Sequence, residues 1–268
     1  MKNNIILLLL TIYFLSACAT SPMGRKQFIV IGDAEMNKMG MASFQKMKTS
    51  LKVSKDKKSF AYVNCVARSI INELPEKWKN QAWEVVVFDD DSANAFALPG
   101  GKIGVHTGLL SVAKNQNQLA AVIGHEVAHV LSKHGAERVS QQMGLQLALQ
   151  TTDAISKNKM ENKASQNILM SALGLGAQIG VILPFSRGHE SEADLFGLNL
   201  LAKAGFDPRQ SVDLWQNMAA ASGGQKTPQF MSTHPNPEKR IEKLTNYMPQ
   251  ALSLSNLAHS QGKTPHCK

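Results

Sequence analysis

Residues 125–129 read His-Glu-Val-Ala-His, and further along the chain reads Glu190-Ser-Glu-Ala-Asp194. On a helix, His125 and His129 leave the same face one turn apart, so the two imidazoles can share one metal ion. Glu126 stands about 100° round from His125, an awkward angle for a third ligand and a good one for taking a proton from water. A catalytic zinc takes three protein ligands and keeps one position open, so the third ligand must come from elsewhere. Glu190 and Asp194 are again four apart and share a face if they too lie on a helix. Glu190 can then complete the site, while Asp194 orients a ligand histidine through its other ring nitrogen. The chemistry these types and spacings point to is metal-assisted hydrolysis, of the kind a zinc peptidase performs.

A five-residue motif can arise by accident, and the flanks decide against that here. Ala121, Val122, Ile123, Val127, Ala128, Val130 and Leu131 make the segment apolar nearly all round, which marks a buried helix. Buried polar side chains without partners cost ~1–3 kcal/mol each, and a metal supplies those partners. Other histidines compete for the third-ligand role. His134 does not fit the metzincin spacing, because Ser132 stands where that pattern wants glycine. It is read at the helix end, where a cation suits the dipole. His189 points to a different face from Glu190 and is read as surface. His106 falls in an expected strand.

The elements that must position these residues follow from periodicity and stop signals. Asp33 caps a helix to about Lys48, with Met36, Met39, Phe44 and Met47 on its buried side; Phe60–Leu74 reads helical and ends at Pro75. Trp83–Phe88 is a short β-rich run. Asn94–Leu110 reads as two strands around Pro99-Gly-Gly101. From Gln116 the helical pattern runs through the zinc motif to Gly135, a C-terminal stop, and resumes to about Ser156. Lys157–Gln166 reads as a loop. Ile168–Phe185 is apolar, but three glycines, Gln178 and Pro184 favour a buried helix or flap over a membrane span. Glu190–Ala204 forms the second zinc helix, stopped by Gly205. Asp207-Pro208 and Asn236-Pro237 each open a further helix.

The first residues read as a leader rather than as fold. Lys2, the apolar run Ile5–Leu15 and Leu15-Ser-Ala-Cys18 resemble the signal of a bacterial lipoprotein, with Cys18 as the lipid-bearing residue. The run is short of the ~20 residues of a span, and Ala19 after the cysteine resembles lipoproteins sent to the outer membrane, facing the periplasm. The expected organisation is a signal peptide over 1–17, a lipidated tether over 18–32, a zinc metallopeptidase domain over 33–250 and a tail over 251–268. The formal net charge of +9 is spread along the chain. With no aromatic interleaving it argues against nucleic acid as a partner and suits a solvated face near an anionic membrane. Cys65 and Cys267 remain after Cys18, and an oxidising compartment permits their disulfide. That bond is worth about 5 kcal/mol in the entropic account; a buried thiol and a frayed one is the alternative.

His125-Glu-Val-Ala-His129, Ser186-Arg187, Glu190-Ser-Glu-Ala-Asp194 with Gly197, and His234-Pro-Asn-Pro-Glu-Lys-Arg240-Ile together resemble the gluzincin family of type I CAAX prenyl proteases and HtpX-like peptidases. The match spans about residues 33–247. The chain looks most like the periplasmic, lipid-anchored bacterial members, which act in envelope protein quality control. The resemblance implies an α+β fold: a mainly helical zincin-type domain with a small β-sheet beside the zinc helix. It implies Zn2+ held by His125, His129 and Glu190, with Glu126 as the general base. It places His234 near the metal, as a transition-state donor or as a fourth ligand closing the site, and Arg240 close by. From its residues alone His234 reads equally as an ordinary loop histidine held extended by Pro235. The chain lacks the multi-span architecture of membrane-embedded prenyl-protein processing. Expected partners are unfolded or misassembled proteins, a membrane through the lipid, and outer-membrane assembly proteins. The rival reading is a lipoprotein chaperone or assembly scaffold with a latent zinc site.

Overall fold

The computed structural model describes residues 18–155, 185–221, 229–234 and 237–268. The described residues open with a short antiparallel hairpin, β1 (Cys18–Thr20) and β2 (Lys26–Phe28). Three helices follow: α1 (Asp33–Ser50), α2 (Lys57–Ile71) and α3 (Glu76–Lys79). A three-stranded sheet comes next, built from β3 (Glu84–Phe88), β4 (Ala95–Leu98) and β5 (Lys102–His106) in the order β3-β5-β4. β5 is parallel to β3 and antiparallel to β4, which therefore forms an edge. The rest is helical: α4 (Thr107–Val112), α5 (Gln116–Leu131), α6 (His134–Ile155), α7 (Arg187–Lys203), α8 (Gln210–Ala221), α9 (Gln229–Thr233) and α10 (Pro237–Ser260). This is the expected α+β, mainly helical architecture with a small sheet beside the zinc-motif helix.

That helix, α5, is the axis of the molecule. Asn115 caps it, accepting from the backbone N–H groups of Asn117 and Gln118. Every residue from Gln118 to Leu131 is buried, as the all-round apolar pattern requires. α2, α7, α8 and β4 pack around it. α5 and α7 cross at a pair of glycines. A β-carbon on Gly197 would stand 2.7 Å from the backbone nitrogen of His125, and one on Gly124 would stand 2.9 Å from the carbonyl oxygen of Gly197. Only backbone fits there, so the two motif-bearing helices touch where the ligands diverge from them. α10 packs along α7 and α8, and His259 on it hydrogen-bonds the carbonyl of Gly205, the left-handed residue (φ 86°) just beyond α7.

Four expectations need correction. The zinc helix does not run to Gly135: it ends at Leu131, Lys133 takes a left-handed φ of 53°, and α6 begins afresh at His134. Residues from Thr107 onward turn helical in α4 rather than prolonging the second strand. The described part of the expected tether is the β1–β2 hairpin, with Ser21 and Gln27 buried against the body of the protein. Nor do residues 251–268 form a loose tail. α10 continues to Ser260, Ala251 and Ala258 are buried, and Gln116 bonds the carbonyl of Pro265 and the N–H of Cys267, each at 2.8 Å. Cys267 is bonded to Cys65 on α2, with the α-carbons 5.6 Å apart. The leader over 1–17 and the loop and apolar segment over 157–184 lie outside the described residues. Among the described residues no helix is long and apolar enough to cross a membrane.

Candidate active site

The i, i+4 spacing on α5 brings Nε2 of His125 and of His129 within 3.0 Å of each other. Ser186 caps α7 by accepting from the N–H of His189 and starts that helix so that Glu190 faces the two imidazoles. Its carboxylate oxygens lie 3.5 Å from His125 Nε2 and 3.6 Å from His129 Nε2. His234, just after α9, adds a fourth donor, its Nδ1 lying 3.2 Å from His125 Nε2 and 3.0 Å from Glu190. All four residues are buried, and their donor atoms lie within 4.8 Å of one another.

These residues fit a zinc ion. Tetrahedral bonds of about 2.0–2.1 Å place neighbouring ligand atoms roughly 3.3 Å apart, and the separations above bracket that figure. Two imidazoles, a carboxylate and a further imidazole are a donor set that zinc accepts.

The partners behind the ligands are charged. Asp194 Oδ1 lies 3.1 Å from Nδ1 of His125, the other ring nitrogen from the one in the cluster. Arg240 reaches two of the acidic residues of α7, Glu190 and Asp194. Its Nη1 is 2.9 Å from Glu190, its Nε donates to Asp194 at 2.8 Å, and its Nη2 makes a closer contact with Asp194 Oδ1. Trp215 lies under the guanidinium, 3.7 Å from ring centre to Cζ. In the metal-free protein, burial and Arg240 push His125 down, but bonds to Asp194 and Glu190 outweigh them and carry it up to about 9. Burial holds His129 well below the ordinary imidazole value. Burial works against the charge on Glu190, yet His234, His125 and Arg240 hold it far below the carboxylate range.

Glu126 has the environment of a base. Burial pushes its carboxyl up, toward the range in which proton transfer is efficient. A backbone hydrogen bond from Ala97 on β4 favours its charged form. Its other oxygen, Oε1, is 3.3 Å from Nε2 of His234 yet out of line for a hydrogen bond, so it stays unpartnered in a buried place. Phe185 stacks on His129 with ring centres 4.1 Å apart, and Phe230 lies 4.4 Å from His234. These rings cover the imidazoles with apolar surface, and burial strengthens the electrostatics between the charged groups.

Two histidines read from the sequence as peripheral are not. His134 and His189 are both buried, with their rings stacked at 4.4 Å. His134 Nδ1 bonds Nδ1 of His129 at 2.8 Å, and His189 Nε2 bonds Glu137 at 3.0 Å. The break at Lys133 is the reason: it turns the chain so that a residue five along from His129 faces it, which a continuous helix would not allow. The partners of this second cluster, Arg25, Glu137 and Glu192, carry no sequence signal of their own. Glu192, two residues from Glu190 on α7, turns away from the cluster and bonds His134 and Arg25.

Comparison with known proteins agrees with this geometry. The family model "Peptidase family M48" matches residues 57–248. The mitochondrial metalloendopeptidase OMA1 of Schizosaccharomyces pombe is 39% identical over 191 residues, 71% of this chain and 53% of the relative. Metalloendopeptidase OMA1, mitochondrial, of Bos taurus is 31% identical over 265 residues, 92% of this chain and 49% of the relative. The beta-barrel assembly-enhancing protease of Yersinia pestis is 30% identical over 218 residues, 80% of this chain and 44% of the relative. The chain thus spans about half the length of these relatives. Mitochondrial names among them, from fission yeast to cattle, overturn the expected location in an outer membrane facing the periplasm. That expectation rested on the few residues around Cys18, too short a pattern to fix an address. With a cluster of two α5 histidines, Glu190 and His234 that could hold a metal ion, and a family match over residues 57–248, this chain belongs to peptidase family M48, a family of metal-dependent peptidases.

Proposed function

We propose that this chain is a zinc-dependent endopeptidase acting on unfolded or misassembled protein. His125, His129 and Glu190 hold the zinc, with Asp194 orienting His125. When bound, zinc supplies Lewis acidity, polarising a scissile carbonyl and making water acidic near neutral pH. Glu126 accepts that water's proton at Oε1 and returns it to the leaving amine. Arg240 keeps Glu190 and Asp194 ionised and in place. The observation that carries this reading is the open Oε1 of Glu126 beside the ligand cluster. A buried acceptor without a partner costs ~1–3 kcal/mol, a cost that serves a base and has no use in a scaffold.

The substrate class follows from the surroundings. β4 is the sheet edge beside Glu126, and an edge binds an extended chain through main-chain hydrogen bonds with little regard to sequence. Beside it a cavity of about 110 Å³, reaching His129, is lined by Met36, Trp78, Leu98, Pro99 and Phe185. It suits an apolar side chain, which unfolded proteins expose. The relatives named as metalloendopeptidases and as an assembly-enhancing protease support the same class. Glu126→Gln is expected to retain zinc and to lose cleavage of an unfolded protein such as casein. Undiminished turnover in that variant overturns the mechanism.

One observation favours a second reading, in which the site is latent. Nδ1 of His234 is as close to the ligand set as the ligands are to each other, so it can fill the position that water needs. His234→Ala should then raise casein cleavage. A fall instead assigns His234 as a transition-state donor.

A further inference from the structure

We propose that Arg25, on the N-terminal hairpin, is a positioning residue for the metal centre, fixing the tautomer and direction of His129 through Glu192 and His134. The inference rests on the reading of the site as a zinc centre. It starts from a continuous line of hydrogen bonds that runs inward from the hairpin to His129. Nδ1 of His129 lies 2.8 Å from Nδ1 of His134, Nε2 of His134 lies 3.1 Å from Oε2 of Glu192, and Arg25 Nε donates to that same oxygen at 2.7 Å.

The protons along this line have one consistent arrangement. An ionised carboxylate only accepts, so Nε2 of His134 carries the hydrogen and donates to Glu192. Nδ1 of the neutral ring is then an acceptor, and Nδ1 of His129 must donate to it. That leaves Nε2 of His129 without a hydrogen, its lone pair turned toward His125 and Glu190. The opposite tautomer of His134 would turn a bare Nε2 lone pair toward the Glu192 carboxylate, acceptor against acceptor, and would face His129 with a donor. Asp194 does the equivalent work for His125, so each ligand histidine of α5 has an acceptor behind it.

Arg25 is what allows a carboxylate to stand there. It forks between two acids: Nε goes to Glu192, while Nη1 and Nη2 reach Glu137 at 3.0 and 2.6 Å. Glu137 in turn receives Nε2 of His189, whose ring stacks on His134, and Nε2 of Gln27 from the same hairpin. Glu137 and Glu192 have side chains only 6% and 4% exposed, whereas Arg25 is 28% exposed and enters from outside. The hairpin aims it: Ser21 Oγ accepts the backbone N–H of Arg25 at 3.0 Å, and Gln27 ties the second strand to the carbonyl of Ser132 at the end of α5. A lysine at position 25 could neutralise one acid but could not fork to both.

The test is zinc affinity of the full chain, measured by chelator competition, with the melting of the metal-free protein recorded beside it. Arg25→Met should bind zinc about 10-fold or more weakly, the usual range for groups that orient a ligand being 10–100-fold. Arg25→Lys should fall between it and the wild type. Affinity of Arg25→Met within twofold of wild type overturns the proposal. A readout on the unaltered protein guards against variants that fail to fold: nitrogen-15 spectra of the zinc-loaded wild type should show His134 as the Nε2–H tautomer, and the Nδ1–H form overturns the proposal. A wild-type chain that takes up no zinc would overturn the metal reading itself, whereas tight wild-type binding with an indifferent Arg25→Met sinks only the role of the hairpin.

Discussion

Arg240 sits at the point where the centre's charges balance. It is 4% exposed, lies against both Glu190 and Asp194, and has no water to fall back on. Removing one member of a buried ion pair strands the other, at a typical cost of 3–5 kcal/mol. Arg240→Leu should therefore destabilise the metal-free protein by roughly that amount in urea unfolding. Zinc loading should recover part of the loss, because a cation beside Glu190 replaces some of the missing positive charge. Equal destabilisation with and without zinc would mean that the guanidinium does not share the ligand's charge. The convergence of His125 and His129 could be read from sequence because an i, i+4 pair on a helix is a local geometry. The fork of Arg240 could not, since its partners lie on α7, far away along the chain. His134 was misread for a related reason: the left-handed Lys133 that turns it inward has no composition signal, and the neighbouring Gly135 looked like the natural stop.

At the scale of elements, the site depends on how closely α5 and α7 approach. Alanine favours a helix over glycine by about 1 kcal/mol, so on a free helix Gly197→Ala would stabilise. Here the added methyl would meet the backbone of His125 at 2.7 Å, and backbone cannot move aside as a flexible side chain can. Overpacking of this kind costs typically 1–3 kcal/mol, so the clash wins. Gly197→Ala is expected to lower stability and to weaken zinc binding, since moving α7 carries Glu190 away from the histidines. Urea unfolding and metal analysis would read both, and a variant as stable and as zinc-loaded as wild type would show that the crossing tolerates separation. The long helices were legible through apolar periodicity and through signals such as Asp207-Pro208 and Gly205. The β1–β2 hairpin was not: three-residue strands carry too little pattern to separate from a tether, and their partners on α6 are supplied only by tertiary packing.

At the scale of the whole molecule, the β1–β2 hairpin and the C-terminal segment are fastened to opposite ends of α5. The hairpin meets the far end of α5 through Gln27 and Ser132, while the C-terminal residues meet its start through Gln116. The Cys65–Cys267 bond closes a loop of sequence separation 202 and ties α2 to that C-terminal segment. Lys263 adds an ion pair to Glu73, 2.6 Å away, near the end of the same helix. Cross-linking so long a loop restricts the unfolded chain by about 5 kcal/mol in the entropic account, and it does so without touching the ligands. Reduction, or Cys267→Ser, should therefore shift the urea midpoint strongly while leaving the zinc affinity of the folded protein close to wild type. The two readouts separate the roles of the two ends: loss of Arg25 should act on the metal first, loss of the cystine on global stability first. A reduced protein that gave up its zinc before it unfolded would show instead that the C-terminal anchor on Gln116 holds α5 in the register the site needs.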